Sequence, residues 1–291
     1  MGGYSMAGPN ATLTITRLTF LEAARRRIAL AAFVLGLAFL LLFGIAFYFV
    51  TTETGLPTGD DPAGTLLRGQ VYNFLCLMGL YAINFLTIAM AALVAADTLA
   101  GEISTGTVQA LVTKPVRRAQ IVLGKWLGFA VLLAVYLALM AGGLMLIVYA
   151  LAQYTLPNLL PGVLLIYLET LVIMTLTLAA SSTFSTLATG GVVFGLWGLA
   201  FIGGFVEQVG AVLNNPTVVN VGIISSLILP TEAVFRRAAF IMTSPVAQAL
   251  GLMNGPVFVA SVPSALMVVY AALYLLAVLG LAVRQFNRRD L

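Results

Sequence analysis

Residues 97–125 read DTLAGEISTGTVQALVTKPVRRAQIVLGK. They form a polar, basic insert between two strongly apolar runs, one ending near Ala96 and the next beginning near Trp126. Each flanking run exceeds the roughly 20 residues that cross a hydrocarbon core of about 30 Å. Neither run alternates with the two-residue period of a strand, so helices must satisfy their backbones. The insert therefore separates two membrane spans, and the chain is read outward from it.

The composition agrees. The chain has 291 residues, 61% hydrophobic and 8% charged, where a soluble domain carries about 25% charged residues. Mean hydropathy is +1.07. This points to an all-α polytopic membrane protein. The net charge of +4 sits at the ends of apolar runs, which suits topology and lipid headgroups and argues against nucleic acid as a partner. The chain has no histidine, which removes histidine metal sites and His-based triads. Its one cysteine, Cys76, lies inside an apolar run and forms no internal disulfide. No catalytic residue, metal site or bound cofactor is expected in this chain.

Taken in order, residues 12–27 read as an amphipathic helix on the membrane surface, with Thr12 as its cap and Ile15, Leu18, Leu21 and Ala24 as a partial stripe. Six spans follow at about 28–50, 71–96, 126–151, 161–180, 190–209 and 263–283, separated by a polar loop over 51–70 and the insert over 97–125. Residues 210–262 are broken by Pro216, Pro230, Pro245 and Pro256. Their pieces Thr217–Leu229 and Thr231–Met242 read as outer interfacial or re-entrant helices. The whole of 1–291 is expected to be one transmembrane domain. Six spans place Arg17, Arg25, Arg26, Arg27, Lys114, Arg117, Arg118, Lys125, Arg284, Arg288 and Arg289 on one side, against Arg68, Arg236 and Arg237 opposite. That bias puts the insert and both termini in the cytoplasm.

Within the insert, the second span continues to about Glu102. Thr105-Gly106-Thr107 then breaks and recaps the chain, and Val108, Leu111 and Val112 fall at i, i+3 and i+4. Pro115 suits the first turn of a new helix, whose Arg117, Arg118 and Gln120 stay among the headgroups. A solvated loop with topogenic charges and a short docking helix fit these spacings equally well.

The order Glu102, Gly106-Thr107, Leu111, Lys114-Pro115, Arg118, Lys125 resembles the signature of ABC type-2 transporter permeases, and the six-span layout is similar to that family over most of the chain. The resemblance implies a permease subunit of an exporter in the plasma membrane, pairing with a second permease subunit, identical or related. It implies a cytoplasmic ABC ATPase partner that binds the ATP and Mg. It makes the insert a coupling helix and assigns coupling to Glu102, Gly106, Thr107, Val108, Leu111, Val112, Lys114, Pro115 and Arg118. The sequence contains no G-x-x-x-x-G-K-[ST] motif, since Gly124-Lys125 is followed by Trp126, so ATP hydrolysis is expected from the partner.

Inside the spans, Glu169 lies about eight residues into the fourth, roughly 12 Å at 1.5 Å per residue. A carboxyl at that depth must face a cavity or find a partner. Asn84, midway along the second span, is the candidate partner, and the two residues are read either as lining a translocation path or as an interhelical clasp. Glu207 is expected to reach the outer interface, where Arg236 and Arg237 snorkel. Gly191 and Gly195 form a G-x-x-x-G that suits close helix packing. Two other classes stand beside transport. An intramembrane lipid-modifying enzyme needs more convergent polar groups than Glu169 and Asn84 provide. A non-transporting membrane anchor for a partner complex needs none.

Overall fold

The computed structural model describes residues 9–53, 61–104, 118–246 and 261–288. The helices are α1 (Pro9–Arg25), α2 (Arg27–Glu53), α3 (Pro62–Ser104), α4 (Arg118–Ala152), α5 (Leu159–Ser181), α6 (Thr186–Val212), α7 (Pro216–Ile228), α8 (Thr231–Met242) and α9 (Ala265–Arg288). Six of them, α2 to α6 and α9, are long and apolar enough to cross a membrane. Among the described residues there is no strand. The protein is an all-α polytopic membrane protein.

The expected spans at 28–50, 71–96, 126–151, 161–180 and 190–209 lie within these helices, and that at 263–283 begins two residues before α9; two further differences lie at the ends. The polar loop expected over 51–70 is shorter, because α2 runs to Glu53 and α3 begins at Pro62. Proline suits a first helical turn, where its missing N–H would have no partner anyway. The third span begins early, at Arg118. The 43 residues of α3 reach about 65 Å at 1.5 Å per residue, twice the hydrocarbon thickness. Its length therefore carries it past the hydrocarbon layer and into the insert.

The core is built by α3, α4, α5 and α8. Leu80, Ile83, Ile88 and Met90 of α3 meet Leu132, Leu133, Tyr136 and Met140 of α4, with Ile166, Ile173 and Met174 of α5 and Ala238 and Met242 of α8. By contrast, α2, α6 and α9 leave long apolar faces open, including Leu41 and Leu42, Ile202 and Phe205, and Leu266 and Leu276. Buried hydroxyls in α5 satisfy themselves on the preceding turn. Thr170 donates to the Ile166 carbonyl at 2.9 Å, Thr175 to Leu171 at 2.6 Å and Thr177 to Ile173 at 2.8 Å. A second cluster joins Ile121 and Val122 of α4, Leu178 of α5 and Val278, Ala282 and Phe286 of α9. It gathers the start of α4, the end of α5 and the end of α9 at the insert's end of the bundle.

The broken stretch after α6 is a bent hairpin. Asn215 caps α7, accepting from the Thr217 and Val218 amides at 3.1 and 3.4 Å, and Pro216 takes the first position. At 13 residues, α7 covers about 20 Å, too short to span. It runs back along α6, and the axis turns by 109° into α8 at Leu229-Pro230. Glycines set the α6–α7 contact. A Cβ on Gly222 would meet the Gly203 carbonyl oxygen at 2.7 Å and the Glu207 Cβ closer still, and one on Gly210 would meet the Val219 amide at 2.7 Å. The close packing expected at Gly191 and Gly195 is not made among the described residues: a Cβ on either meets none of their atoms within 4 Å. The glycines of α6 that pack, Gly203, Gly204 and Gly210, lie about two to four turns further on, where α7 folds back.

Gly222→Val should force α6 and α7 apart at the cost of about 1–3 kcal/mol of overpacking. Gly195→Ala, facing open space, should stay within about 0.5 kcal/mol of the parent. Thermal unfolding in detergent micelles compares the two.

Candidate functional site

Two polar sites interrupt the apolar bundle. The first is the pair of roots from which the insert springs. Glu102 lies in the last turn of α3, and Arg118 is the first residue of α4. The expected coupling positions Gly106, Thr107, Val108, Leu111, Val112, Lys114 and Pro115 lie outside the described residues. The roots are held by α1. A Cβ on Gly124 of α4 would meet Ile15 Cβ at 2.7 Å, and one on Gly128 would meet Thr19 Cβ at 2.8 Å and the Thr16 carbonyl oxygen at 2.9 Å. Two glycines one turn apart thus let α1 lie directly against the backbone of α4. Thr19, Glu22, Ala23 and Arg26 of α1, Thr98 of α3, and Lys125 and Phe129 of α4 line a single recess there. Lys125 is 5% exposed and Thr98 2%. Lys125, read from the sequence as a headgroup charge, is instead covered, because α1 lies over its stem. Arg26 and Glu22 pair at 2.7 Å with Glu22 largely exposed, a surface contact of small energetic value. On its outer side α1 presents Leu13, Leu18 and Leu21, all exposed, as an interfacial helix does.

The second site lies where α3, α5, α6 and α8 meet. Glu169 of α5 is fully buried. Unlike the threonines around it, it has no bond to a preceding turn, and neither of its carboxyl oxygens has a hydrogen-bond partner among the described residues. Its polar neighbours are Glu232 of α8 and Asn84 of α3. Asn84 is 4% exposed, and its carbonyl oxygen is also without a partner among the described residues. The structure therefore places Asn84 beside Glu169, close but short of a formed hydrogen bond. It adds Glu232, which the sequence reading left out.

Next to them is a hydrogen-bonded network in which, among the described residues, the Arg236 Nε alone has no partner. Arg236 of α8 bonds Glu207 of α6 at 2.7 Å, with both side chains 5% exposed. The Ser261 hydroxyl donates to the other Glu207 oxygen at 2.6 Å. Gln208 brackets the Ser261 backbone, accepting from its amide at 3.1 Å and donating to its carbonyl at 3.4 Å. Arg237 donates to the Pro263 carbonyl at 3.2 Å. This overturns the expectation for Arg236 and Glu207: neither reaches the interface, because α8 folds back against α6 and places them face to face inside the bundle. Only Arg237 keeps part of its surface. The far end of α8 is also tied. Asn73 of α3 donates to the Met242 carbonyl at 3.0 Å and Asn158 to the Ile241 carbonyl at 3.0 Å, supplying donors to carbonyls that a helix end leaves unmatched.

The sequence did carry a signal for this site. Glu207, Glu232, Arg236 and Arg237 are charged residues in a stretch otherwise poor in charge. Their partners were hidden, because Glu232 and Arg236 stand at i, i+4 and suggest a local pair, whereas Arg236 bonds across to Glu207.

Removing one partner of a buried ion pair strands the other and costs about 3–5 kcal/mol. Arg236→Ala should lower the thermal midpoint in micelles far more than Arg237→Ala. The double change Glu207→Leu with Arg236→Met should recover part of the loss. Equal effects of the two arginines would contradict the placement.

With this geometry in hand, comparison with known families gives a match to the family model described as ABC-2 family transporter protein, over residues 13–291. Comparison with curated proteins finds no match.

Proposed function

The chain belongs to the ABC-2 transporter family and is a multi-pass membrane permease, and from that premise we propose that it is the membrane half of an exporter driven by a separate cytoplasmic ATPase. The observation that carries this reading is the match across nearly the whole chain, insert included. ATP and Mg belong to the partner ATPase. A second permease subunit, identical or related, completes the path across the plasma membrane, with both termini and the insert on the cytoplasmic side.

The coupling follows from mechanics already described. The insert joins the end of α3 to the start of α4, and α1 clamps both roots at Gly124, Gly128, Thr98 and Lys125. A partner that grips 105–117 therefore moves α3, α4 and α1 together. The same α3 carries Asn84 beside Glu169 and Asn73 against the end of α8. Force at the insert is thus delivered through one rigid helix to the intramembrane polar site and the outer hairpin. Nucleotide can drive the change only if the ATPase binds the two membrane conformations with different affinity. Glu169 and Asn84 then line the path. Neither a lipid-modifying enzyme nor a passive anchor accounts for a clamped insert coupled through α3 to a buried carboxyl.

Glu102→Ala and deletion of Gly106 should leave membrane insertion and thermal stability near those of the parent. In the reconstituted complex they should abolish transport and the stimulation of ATPase activity by substrate. Normal substrate stimulation in both variants would contradict coupling through the insert.

A further inference from the structure

The junction of α3, α5, α6 and α8 has an excess of acid. Its carboxyl groups are Glu169, Glu207 and Glu232, and its guanidinium is Arg236. Arg236 is committed to Glu207, whose second oxygen is taken by Ser261. Arg237 turns to the Pro263 carbonyl. Glu169 and Glu232 therefore neighbour each other with no salt bridge to either among the described residues. The unmatched buried atoms at this place include three acceptors, both oxygens of Glu169 and the carbonyl oxygen of Asn84, beside the Arg236 Nε and the Thr231 hydroxyl, which also have no partner among the described residues. Three such acceptors at near-zero exposure call for a ligand that brings positive charge or donors, since an anion would add to the repulsion.

Aromatic rings lead to the same point. Tyr81 of α3 is an electrostatic neighbour of both Glu232 and Glu169. Its ring lies 5.3 Å from Phe235 and 6.5 Å from Phe201. Phe201 stacks on Trp197 at 5.9 Å, and Trp197 meets Phe85 at 5.6 Å. Phe85 is 50% exposed and Phe201 36%. The ladder therefore runs from an open apolar face between α3 and α6 down to the acid pair. Glu232 lies against α6 because Gly204 has no side chain: its Cγ fills the space a Cβ would take. Rings on an apolar face are ordinary. Rings that end on two carboxyls, Glu169 without a partner among the described residues and Glu232 facing Arg236 electrostatically but in no salt bridge with it, combine the two elements that recognise an organic cation, quadrupole and counter-charge. A bare metal ion fits less well, because among the described residues no group of three His, Cys, Asp or Glu side chains converges.

Resting on the transport reading above, we propose that Glu169, Glu232 and Asn84, with the ladder Phe85–Trp197–Phe201–Tyr81, form the recognition site for a lipophilic organic cation, a positive charge carried on an apolar body. The apolar body enters along the rings, and the charge is drawn to Glu232 and then Glu169.

The test uses the full chain in lipid nanodiscs and two probes of the same size and opposite charge, tetraphenylphosphonium and tetraphenylborate. The phosphonium should bind saturably and the borate should not. Glu232→Gln and Glu169→Gln should each weaken phosphonium binding by at least about tenfold, the scale of losing a close charge partner, and Trp197→Ala should weaken it several-fold. Equal binding of both ions, or unchanged phosphonium affinity in the two glutamine variants, would overturn the proposal. Should Glu169→Gln fail to fold, the partly exposed Glu232 carries the test alone. Binding is read without any ATPase, so its failure removes this inference and leaves the transport reading standing. Failure of ATPase coupling with binding intact would do the reverse.

Discussion

Hydrocarbon offers no water to a polar group, and this constraint orders the whole molecule. Every backbone N–H and C=O in the spans must find its partner within the chain, which leaves helices as the solution. Buried hydroxyls gain most by the same means, as Thr170, Thr175 and Thr177 do on the turn before them, while those of Thr189, Ser226 and Thr231 have no partner among the described residues. Charges are admitted only where the fold supplies a counterpart. The Glu207–Arg236 pair shows the rule at full strength: each Glu207 oxygen is bonded, and the arginine draws α8 onto α6 and the segment before α9. Of the buried side chains without a partner among the described residues, Glu169 is the carboxyl, with both oxygens unmatched, and ionisable groups placed so mark functional positions in membranes.

The constraint also explains the hairpin. A chain that re-enters the bundle without spanning it must bury its turn against protein. Leu229, Pro230 and Thr231 are all buried, and Gly203, Gly210 and Gly222 bring α7 within backbone contact of α6. The hairpin buries Arg236 inside the bundle and sets the partly exposed Glu232 against α6. The end of the bundle opposite the insert is then fastened by Asn73 and Asn158. The insert end is fastened by α1 instead, with Gly124 and Gly128 as the contact. The two ends of the bundle are thus built differently, one around a folded-back hairpin and the other around a clamp on the insert, and α3 is the element that reaches both.

Much of this was legible in the sequence. The apolar run at 28–50 is α2, and the break at Pro230 separates α7 from α8, because a run of hydrocarbon side chains and a proline have few alternative meanings in a membrane. The depth of Glu169 followed from counting residues, and Asn84 as its neighbour from matching depths on two helices. What stayed hidden were contacts fixed by tertiary folding. Gly191 and Gly195 show the small-residue spacing, yet Gly203 and Gly222 make the contact, since spacing gives a helix its narrow face without naming what lies on it. Arg236 and Glu207 are 29 residues apart, beyond any helical period, so only the fold of the hairpin joins them. Lys125 read as a headgroup charge because nothing in its own surroundings reveals that α1 covers it. Family resemblance supplied the coupling role proposed for the insert, for which spacing alone left two equal meanings.

The central claim is that an ATPase drives this permease through the insert. It is tested most directly by a photo-crosslinking side chain at Leu111 in the full complex in native membranes, with the same group at the membrane-exposed Leu199 as reference. The account predicts a covalent adduct between Leu111 and a subunit that hydrolyses ATP, and none from Leu199. Adducts from Leu111 to lipid alone, with the complex intact and transporting, would contradict it.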